Sequence, residues 1–94
     1  MKKTNVQIGH LIRDYRIRKG LTQLDLATKL NYDGPQFVSL IERGLSKTPF
    51  EILGKLIIIL GIPERKITKI LLEAYEIELA KKVGFGKKTA LGEN

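Results

Sequence analysis

The chain has 94 residues, no cysteine and one histidine, a length that suits a single domain with a modest core. The absence of cysteine excludes disulfides and thiolate metal sites, and the sequence shows no glycine-rich phosphate loop and no cluster of metal-ligand residues. We therefore predict no enzyme activity, no cofactor and no metal site. The 17 Lys and Arg residues exceed the 10 Asp and Glu residues, and the net charge of +7 favours a polyanionic partner.

No segment has the pattern of a membrane anchor or a secretory signal. The N-terminal run MKKTNVQIGH is basic but contains no long apolar stretch. The apolar run Leu56 to Leu60 is ended by Gly61 and Pro63, far short of a membrane span. These features predict a cytoplasmic, nucleoid-associated protein that has no membrane partner.

The first helix is predicted from about Asn5 to Lys19, with Thr4 or Asn5 as its cap and Gly20 as its terminating residue. Four apolar side chains recur at steps of three and four and are expected to face the core: Ile8, Leu11, Ile12 and Tyr15.

Residues 21–44 predict two short helices joined by a tight turn. The first helix begins at Thr22, whose hydroxyl can cap the opening turn, and Asp25 follows three residues later as in a capping box. Its core-facing residues are Leu26, Ala27 and Leu30.

The second of these helices is expected at about 35–43, with Pro35 at its first position and Asp33 or Gly34 as its cap. Val38 and Ile41 would bury its back. A helix held at its back with a polar front has the geometry needed to enter a DNA major groove. The side chains left facing outward are Gln36, Phe37, Ser39, Leu40 and Arg43.

The fourth helix is predicted to open with a capping box at Thr48–Glu51, to continue to Leu60 and to end at Gly61. The β-branched run Ile57–Ile59 is also compatible with a strand. Because caps flank the segment and no partner strand exists, we favour the helix. Its inward residues are Leu53, Leu56, Ile57 and Leu60.

The fifth helix is predicted over residues 63–83, with Gly84 as its stop, and residues 84–94 as a flexible tail. Leu72 and Leu79 lie off the main apolar stripe, so the helix is apolar on more than one side and must bury the surplus. Either the helix lies deep in its own core or a second subunit covers it, and we favour a homodimer through helix 63–83. The main stripe comprises Ile67, Ile70, Leu71, Ala74 and Ile77 or Glu78.

Three short motifs resemble the Xre (Cro/C1-type) helix-turn-helix family: Leu21-Thr22-Gln23, Leu26-Ala27 and the run from Ser39 to Gly44. The similarity extends from about Ile8 to Ile62. It implies an all-α, five-helix, lambda-repressor-like DNA-binding domain over residues 1–83, with its core at 5–62 and a long C-terminal helix.

One departure from the family pattern lies in the turn. Between Leu30 and Ser39 the chain carries one residue more than the common spacing, which predicts a turn extended by one position. A sub-group of the family whose recognition helix starts with Pro-Gln-aromatic is similar here.

The resemblance assigns roles to individual residues. Gln23 matches a glutamine that braces the recognition helix and contacts a phosphate, and Arg16 and Glu42 match an internal ion pair. Ser39 matches a small polar position that either contacts a base or only caps and packs.

The remaining DNA contacts follow from side-chain chemistry. Gln36 can bond adenine in a bidentate manner, and Phe37 and Leu40 can touch thymine methyl groups, although Leu40 is as well suited to shielding the core. The base-contact candidates are thus Gln36, Phe37, Ser39 and Leu40. Contacts to the DNA backbone position a protein without reading sequence, and the candidates are Thr22, Gln23, Arg43, Lys47 and Thr48.

These observations predict a sequence-specific transcriptional regulator of bacterial or phage type, a repressor, that binds double-stranded operator DNA as a dimer. It would act by occluding polymerase or by recruiting it, and the sequence leaves both open. Its half-sites would lie about 34 Å apart, one helical turn. An antitoxin-type protein and a restriction-modification controller are the alternatives, and the role of each would include binding a protein partner.

Overall fold

The computed structural model describes residues 2–92, which form helices and connecting turns without a strand. The predicted all-α, five-helix fold with a long C-terminal helix is confirmed. The helices are α1 (Lys2–Arg18), α2 (Gln23–Lys29), α3 (Gln36–Glu42), α4 (Phe50–Leu60) and α5 (Glu64–Ala90).

Helix α1 begins at Lys2, almost a full turn before the predicted start, so the expected cap at Thr4 or Asn5 is wrong. Thr4 lies inside the helix and is buried. Together with Thr48 and Leu71 it lines a small cavity between α1, the α3–α4 loop and α5. This tertiary packing stabilises a first turn that has no cap of its own.

The predicted capping box at α2 is confirmed. The backbone N–H of Asp25 donates to the Thr22 hydroxyl at 3.0 Å, and the Thr22 N–H donates to the Asp25 carboxylate at 2.9 Å. The hydrogen bonds from Thr22 hold the pKa of Asp25 below its usual value. The start of α2 is therefore set by two residues that are local in sequence.

The caps predicted for α3 and α4 are wrong. Pro35 and Pro49 occupy the N-cap positions, and no side chain bonds the first amides of either helix. Thr48 cannot cap α4 because it lies one residue too early and is buried, with 7% of its surface exposed. Its side chain packs into the fold instead, and α4 ends as predicted at Gly61.

One core joins all five helices. The inward residues predicted for α2 and α3 are all buried, while Leu11, Tyr15 and Ile57 are only partly buried against the core. The buried residues are Ile8, Ile12, Leu26, Ala27, Leu30, Val38, Ile41, Ile52, Leu53, Leu56, Leu60, Ile62 and Ile67.

Helix α5 does not stop at Gly84 but continues to Ala90, so the predicted flexible tail is wrong for residues 84–90. A helical glycine costs about 1 kcal/mol relative to alanine, and the lysines on both sides of Gly84 and Gly86 favour the helix. Lys87 and Lys88 also lie in the last turn, where the helix dipole favours positive charge. The last two residues of the predicted tail, 93–94, lie outside the described part of the chain.

Only the beginning of α5 is docked on the core. Ile67 is buried and Ile70 and Leu71 are partly buried, whereas the residues beyond Ala74 are mostly exposed. The Cα radius of gyration is 16.6 Å and the longest dimension is 55 Å, whereas a compact chain of this length has a radius of about 12 Å. The distal half of α5 therefore projects from the body. None of the helices in residues 2–92 is long and apolar enough to span a membrane.

Helices α1 and α3 approach closely at Gly9. A Cβ atom on Gly9 would lie 2.8 Å from the carbonyl oxygen of Glu42 and would also collide with the carbonyl oxygen of Ile41. Both atoms belong to the backbone of α3 and cannot rotate away. Gly9 therefore permits the contact that fixes α3 on α1.

We expect Gly9→Ala to lower the free energy of unfolding by about 1–3 kcal/mol, because α3 must move to relieve the overlap. Urea unfolding followed by circular dichroism measures the change. Gly54→Ala is the matched control, since a Cβ there meets nothing within 4 Å and alanine improves the propensity of α4. A Gly9→Ala variant as stable as Gly54→Ala would contradict the close packing of α1 and α3.

Candidate nucleic-acid interface

Helix α3 is held on the body by its back. Val38 and Ile41 are each 2% exposed, and Glu42 at the end of the helix is 3% exposed. Helix α1 packs behind α3, and α2 packs beside it. The seven-residue helix is too short to be stable alone, so its position depends on these contacts.

The buried carboxylate of Glu42 ties α3 to both neighbouring helices. Arg16 of α1 donates to it through Nε at 2.6 Å and through Nη2 at 2.9 Å, forming a bidentate pair. Gln23 of α2 donates to Glu42 Oε1 through Nε2 at 3.1 Å. The remaining nitrogen of Arg16, Nη1, donates to the carbonyl oxygen of Leu21 at 2.8 Å. We call the set Arg16, Leu21, Gln23 and Glu42 the Glu42 clamp.

The clamp satisfies a charge that would otherwise be costly to bury. The hydrogen bond to Glu42 raises the pKa of Arg16 above its usual value, so the guanidinium stays charged. Two donors from Arg16 and one from Gln23 occupy the carboxylate. Residues that lie 26 positions apart in sequence are thereby fixed relative to one another.

The exposed side of α3 forms a shallow, open depression together with the start of α2. Gln36 is exposed at the first turn of α3. Its amide group lies beside Gly34, where an added Cβ atom would overlap the Gln36 amide oxygen. Leu40 is 37% exposed, so part of its side chain is open on this face. The depression is lined by Gln23, Pro35, Gln36, Ser39, Leu40 and Arg43.

Phe37 lies apart from this depression. Its ring packs against Tyr32 with the centroids 4.6 Å apart and the planes inclined at 39°, and it is partly buried against the core. The pair closes the turn between α2 and α3. Phe37 thus has a structural contact that the outward position predicted from sequence did not include.

The turn between α2 and α3 is built around Asn31. Asn31 adopts a φ of 65°, the one positive value outside glycine in residues 2–92, and the N–H of Tyr32 donates to the carbonyl of Ala27 at 2.9 Å. Asparagine is among the residues that accept this conformation most readily. The chain therefore reverses at Asn31 before it reaches Pro35.

Helix α3 ends in a Schellman motif at Gly44. The N–H of Gly44 donates to the carbonyl of Ile41, and the N–H of Leu45 donates to the carbonyl of Leu40, both at 3.0 Å. Gly44 has a φ of 71°, and a Cβ there would lie 2.6 Å from the Val6 side chain. Gly44 therefore gives α3 a left-handed exit.

The positions proposed to contact the DNA backbone differ in accessibility. Thr22, Arg43 and Lys47 are exposed at the ends of α2 and α3 and in the following loop. Thr48 is buried beside Thr4 and Leu53, so its side chain offers almost no surface to a phosphate. Gln23 is half-buried and donates one amide hydrogen to Glu42. Its side chain also lines the depression.

Sequence reasoning missed two features of this site. The carbonyl of Leu21 was not anticipated as the fourth member of the Glu42 clamp, because a backbone acceptor has no signal in side-chain identity. The Tyr32–Phe37 contact was also missed. Two aromatic residues five positions apart across a turn were the available signal for it.

The back of a short helix is buried, a second helix packs against it, and a polar face lies between the two helices. These features define a helix-turn-helix DNA-binding domain. Residues 12–67, more than half of the chain, match the family model described as Helix-turn-helix. The chain belongs to this family, which is of the Xre type. The sub-group with an extended turn remains a prediction.

Curated relatives match the same region. The segment is 36% identical over 63 residues to human endothelial differentiation-related factor 1, covering 67% of this chain and 42% of that protein. It is 39% identical over 64 residues to multiprotein-bridging factor 1 of the yeast Debaryomyces hansenii, covering 68% of this chain and 42% of that protein. The match thus spans less than half the length of these relatives.

The fold is also found in a solved structure. The clp gene regulator ClgR from Corynebacterium glutamicum superposes with a TM-score of 0.62 at 24% identity, covering 88% of this chain and 93% of that one. The family match identifies a helix-turn-helix domain, and the likeness to ClgR shows that the two chains share a fold.

We expect Glu42→Gln to lower the free energy of unfolding by about 3–5 kcal/mol, because the Arg16 guanidinium loses its charged partner in a largely buried setting. Thermal and urea unfolding measure the loss. The double variant Arg16→Met with Glu42→Leu is the control, since removing both charges leaves neither stranded and should cost less than the two single changes added together. A loss below about 1 kcal/mol for Glu42→Gln would mean that the pair behaves as a surface salt bridge.

Proposed function

We propose that this chain is a sequence-specific repressor of bacterial or phage type that binds double-stranded operator DNA. The observation that carries the proposal is the depression formed by α2 and α3, in which a polar face is presented by a helix whose back is buried. Gln36, Ser39 and Leu40 lie where a helix inserted in the major groove meets base edges. Occupation of an operator would then exclude polymerase from the promoter.

Within this proposal the contacts divide into two kinds. Gln36 reads adenine through its amide, and Leu40 packs on a thymine methyl group, with Ser39 between them. Thr22, Gln23, Arg43 and Lys47 contact phosphates at the edges of the depression, which orients the domain without reading sequence. Phe37 and Thr48, although suggested by sequence, are less suited to contact DNA because both are engaged in packing.

The protein would act as a homodimer through α5 in the cytoplasm, associated with the nucleoid. Exposed apolar side chains on the projecting part of α5 support this arrangement, since a solvated apolar surface favours association. Two copies would place two recognition helices on half-sites about 34 Å apart. The relative named multiprotein-bridging factor 1 favours a second candidate, in which α5 binds another protein as in antitoxin-type or restriction-modification controller proteins.

Selection from a random pool of duplex DNA at near-physiological salt tests the proposal, with the size of the bound species determined by light scattering. An inverted repeat bound by a dimer is the expected result. If no motif is recovered and binding is lost as the salt concentration rises, the protein binds DNA only through non-specific electrostatic attraction. A stable complex with a different protein that is required for cooperative DNA binding would support the second candidate.

On the selected site, Gln36→Ala should weaken binding by about 1–3 kcal/mol and relax the preference at one base pair, because the bidentate contact is lost. Fluorescence anisotropy with matched and singly substituted duplexes measures both effects. Equal weakening on selected and random DNA would contradict the placement of Gln36 at a base edge.

Lys47→Ala should weaken binding to all duplexes about equally and lower the salt slope by about one unit, because one phosphate contact is lost. Lys55→Ala is the charge-matched control. Lys55 lies on the surface of α4 beside Gly54 and Ile58, outside the depression, so the slope should change less. Identical slopes for the two variants would show that Lys47 acts only through the net charge.

A further inference from the structure

Helix α5 carries a second apolar stripe that its own domain does not cover. Successive residues turn by about 100° around a helix, so positions spaced by three and four share one face. The docked face is defined by Ile67, Ile70, Leu71 and Ala74, and the second stripe lies to one side of it, with Tyr75 next to Leu71. Its members, here called the outer stripe, are Leu72, Tyr75, Leu79, Val83, Gly86 and Ala90.

The outer stripe is accessible along its whole length. Leu72 and Tyr75 are 60% and 64% exposed, and Leu79 and Val83 are about half exposed. A Cβ on Gly86 would meet nothing within 4 Å. Within residues 2–92, the fold provides no element that covers these side chains.

We propose that two copies of this chain pair through the outer stripe with their α5 helices antiparallel and a two-fold axis at the level of Lys81. This inference rests on the proposed homodimer and specifies its surface and direction. In this register Leu72 lies level with Ala90 of the second copy and Leu79 with Val83, while Tyr75 lies within one residue of the level of Gly86.

Side-chain size along the outer stripe favours the antiparallel direction. The large residues Leu72 and Tyr75 lie near its beginning, and the small residues Gly86 and Ala90 lie near its end. Antiparallel pairing sets each large residue against a small one, which allows the helices to interdigitate at native density. Parallel pairing would set Tyr75 against Tyr75 and Gly86 against Gly86, leaving a bulge at one end and a gap at the other.

The charges beside the outer stripe favour the same direction. Glu76 and Lys87 flank it on one side, and Lys82 lies on the other. Antiparallel helices bring equivalent flanks together, so Glu76 comes within one residue of the level of Lys87 of the second copy. In a parallel pair, opposite flanks face each other at an offset of five residues, which would bring Lys82 against Lys87.

The antiparallel pair also accounts for the length of α5. The helix continues beyond its own domain through two glycines, each of which weakens it. In the proposed pair these last turns lie along the beginning of the second copy's α5. Gly86 is retained in the helix because it faces Tyr75 of the second copy, where a side chain would not fit.

Disulfide trapping tests the direction of pairing, and the cysteine-free chain allows it without background. Single variants Tyr75→Cys and Gly86→Cys, one of them carrying a size tag, are mixed and oxidised. The expected product is a disulfide between Tyr75→Cys and Gly86→Cys, because only facing Cα atoms about 4.4–6.8 Å apart form an unstrained bond. Self-linked Tyr75→Cys as the main product would overturn the antiparallel arrangement, as would a protein that remains monomeric.

Two leucine substitutions test the surface. Gly86→Leu should raise the dimer dissociation constant by about tenfold or more, because the added side chain meets Tyr75 of the second copy. Gly84→Leu is the matched control, since it lies off the outer stripe, gains the same helix propensity and meets nothing within 4 Å. Analytical ultracentrifugation measures both constants, and an equal effect of the two substitutions would overturn the proposed interface.

The DNA selection separates failure of this inference from failure of the proposed function. If a dimer binds an inverted repeat but no disulfide forms between positions 75 and 86, the proposed function stands and the antiparallel pair is overturned. A disulfide at these positions without any selected motif would support the pair and overturn the repressor. A dimer of Glu76→Lys that is weakened and then restored by adding Lys87→Glu would further support the pairing.

Discussion

The position of the recognition helix depends on one buried carboxylate. Glu42 ends α3 and receives hydrogen bonds from Arg16 of α1 and Gln23 of α2, so three helices meet at its two oxygen atoms. A seven-residue helix has little stability alone, and its orientation is set by this charged contact and by the apolar contacts of Val38 and Ile41. Because burying an unpaired carboxylate is costly, other orientations of α3 that leave Glu42 without donors are strongly disfavoured.

The close contact at Gly9 acts together with the clamp. The backbone of α1 lies against the carbonyl oxygens of Ile41 and Glu42 at the end of α3, while Arg16, two turns further along α1, bonds the Glu42 side chain. One contact is steric and the other electrostatic, and they constrain the same helix end. At the other end of α3, Pro35 occupies the N-cap position without a side-chain hydrogen bond, and the Tyr32–Phe37 contact lies nearby.

Local patterns predicted most of this fold because the relevant signals are short in range. The capping box of Thr22 and Asp25 and the apolar spacing of α2 and α3 are each encoded within a few residues. The failures involve tertiary contacts: Thr4 and Thr48 resemble caps but are buried in packing, and Phe37 turns to Tyr32. The Arg16–Glu42 pair was anticipated through the family resemblance, since spacing alone does not pair residues 26 positions apart.

The C-terminal helix shows how a local rule can be overridden. Glycine commonly ends a helix, and Gly84 was predicted to end α5. Gly84 and Gly86 each lower the stability of the helix by only about 1 kcal/mol, and the lysines and alanines around them are good helix formers. A projecting helix with an uncovered apolar side is nevertheless unfavourable for a monomer in water. Its large residues lie near one end of the outer stripe and its small residues near the other, an asymmetry that a single copy does not require. Pairing with a second copy in the opposite direction uses that asymmetry, and it would couple the geometry of the two recognition helices to the stiffness of α5.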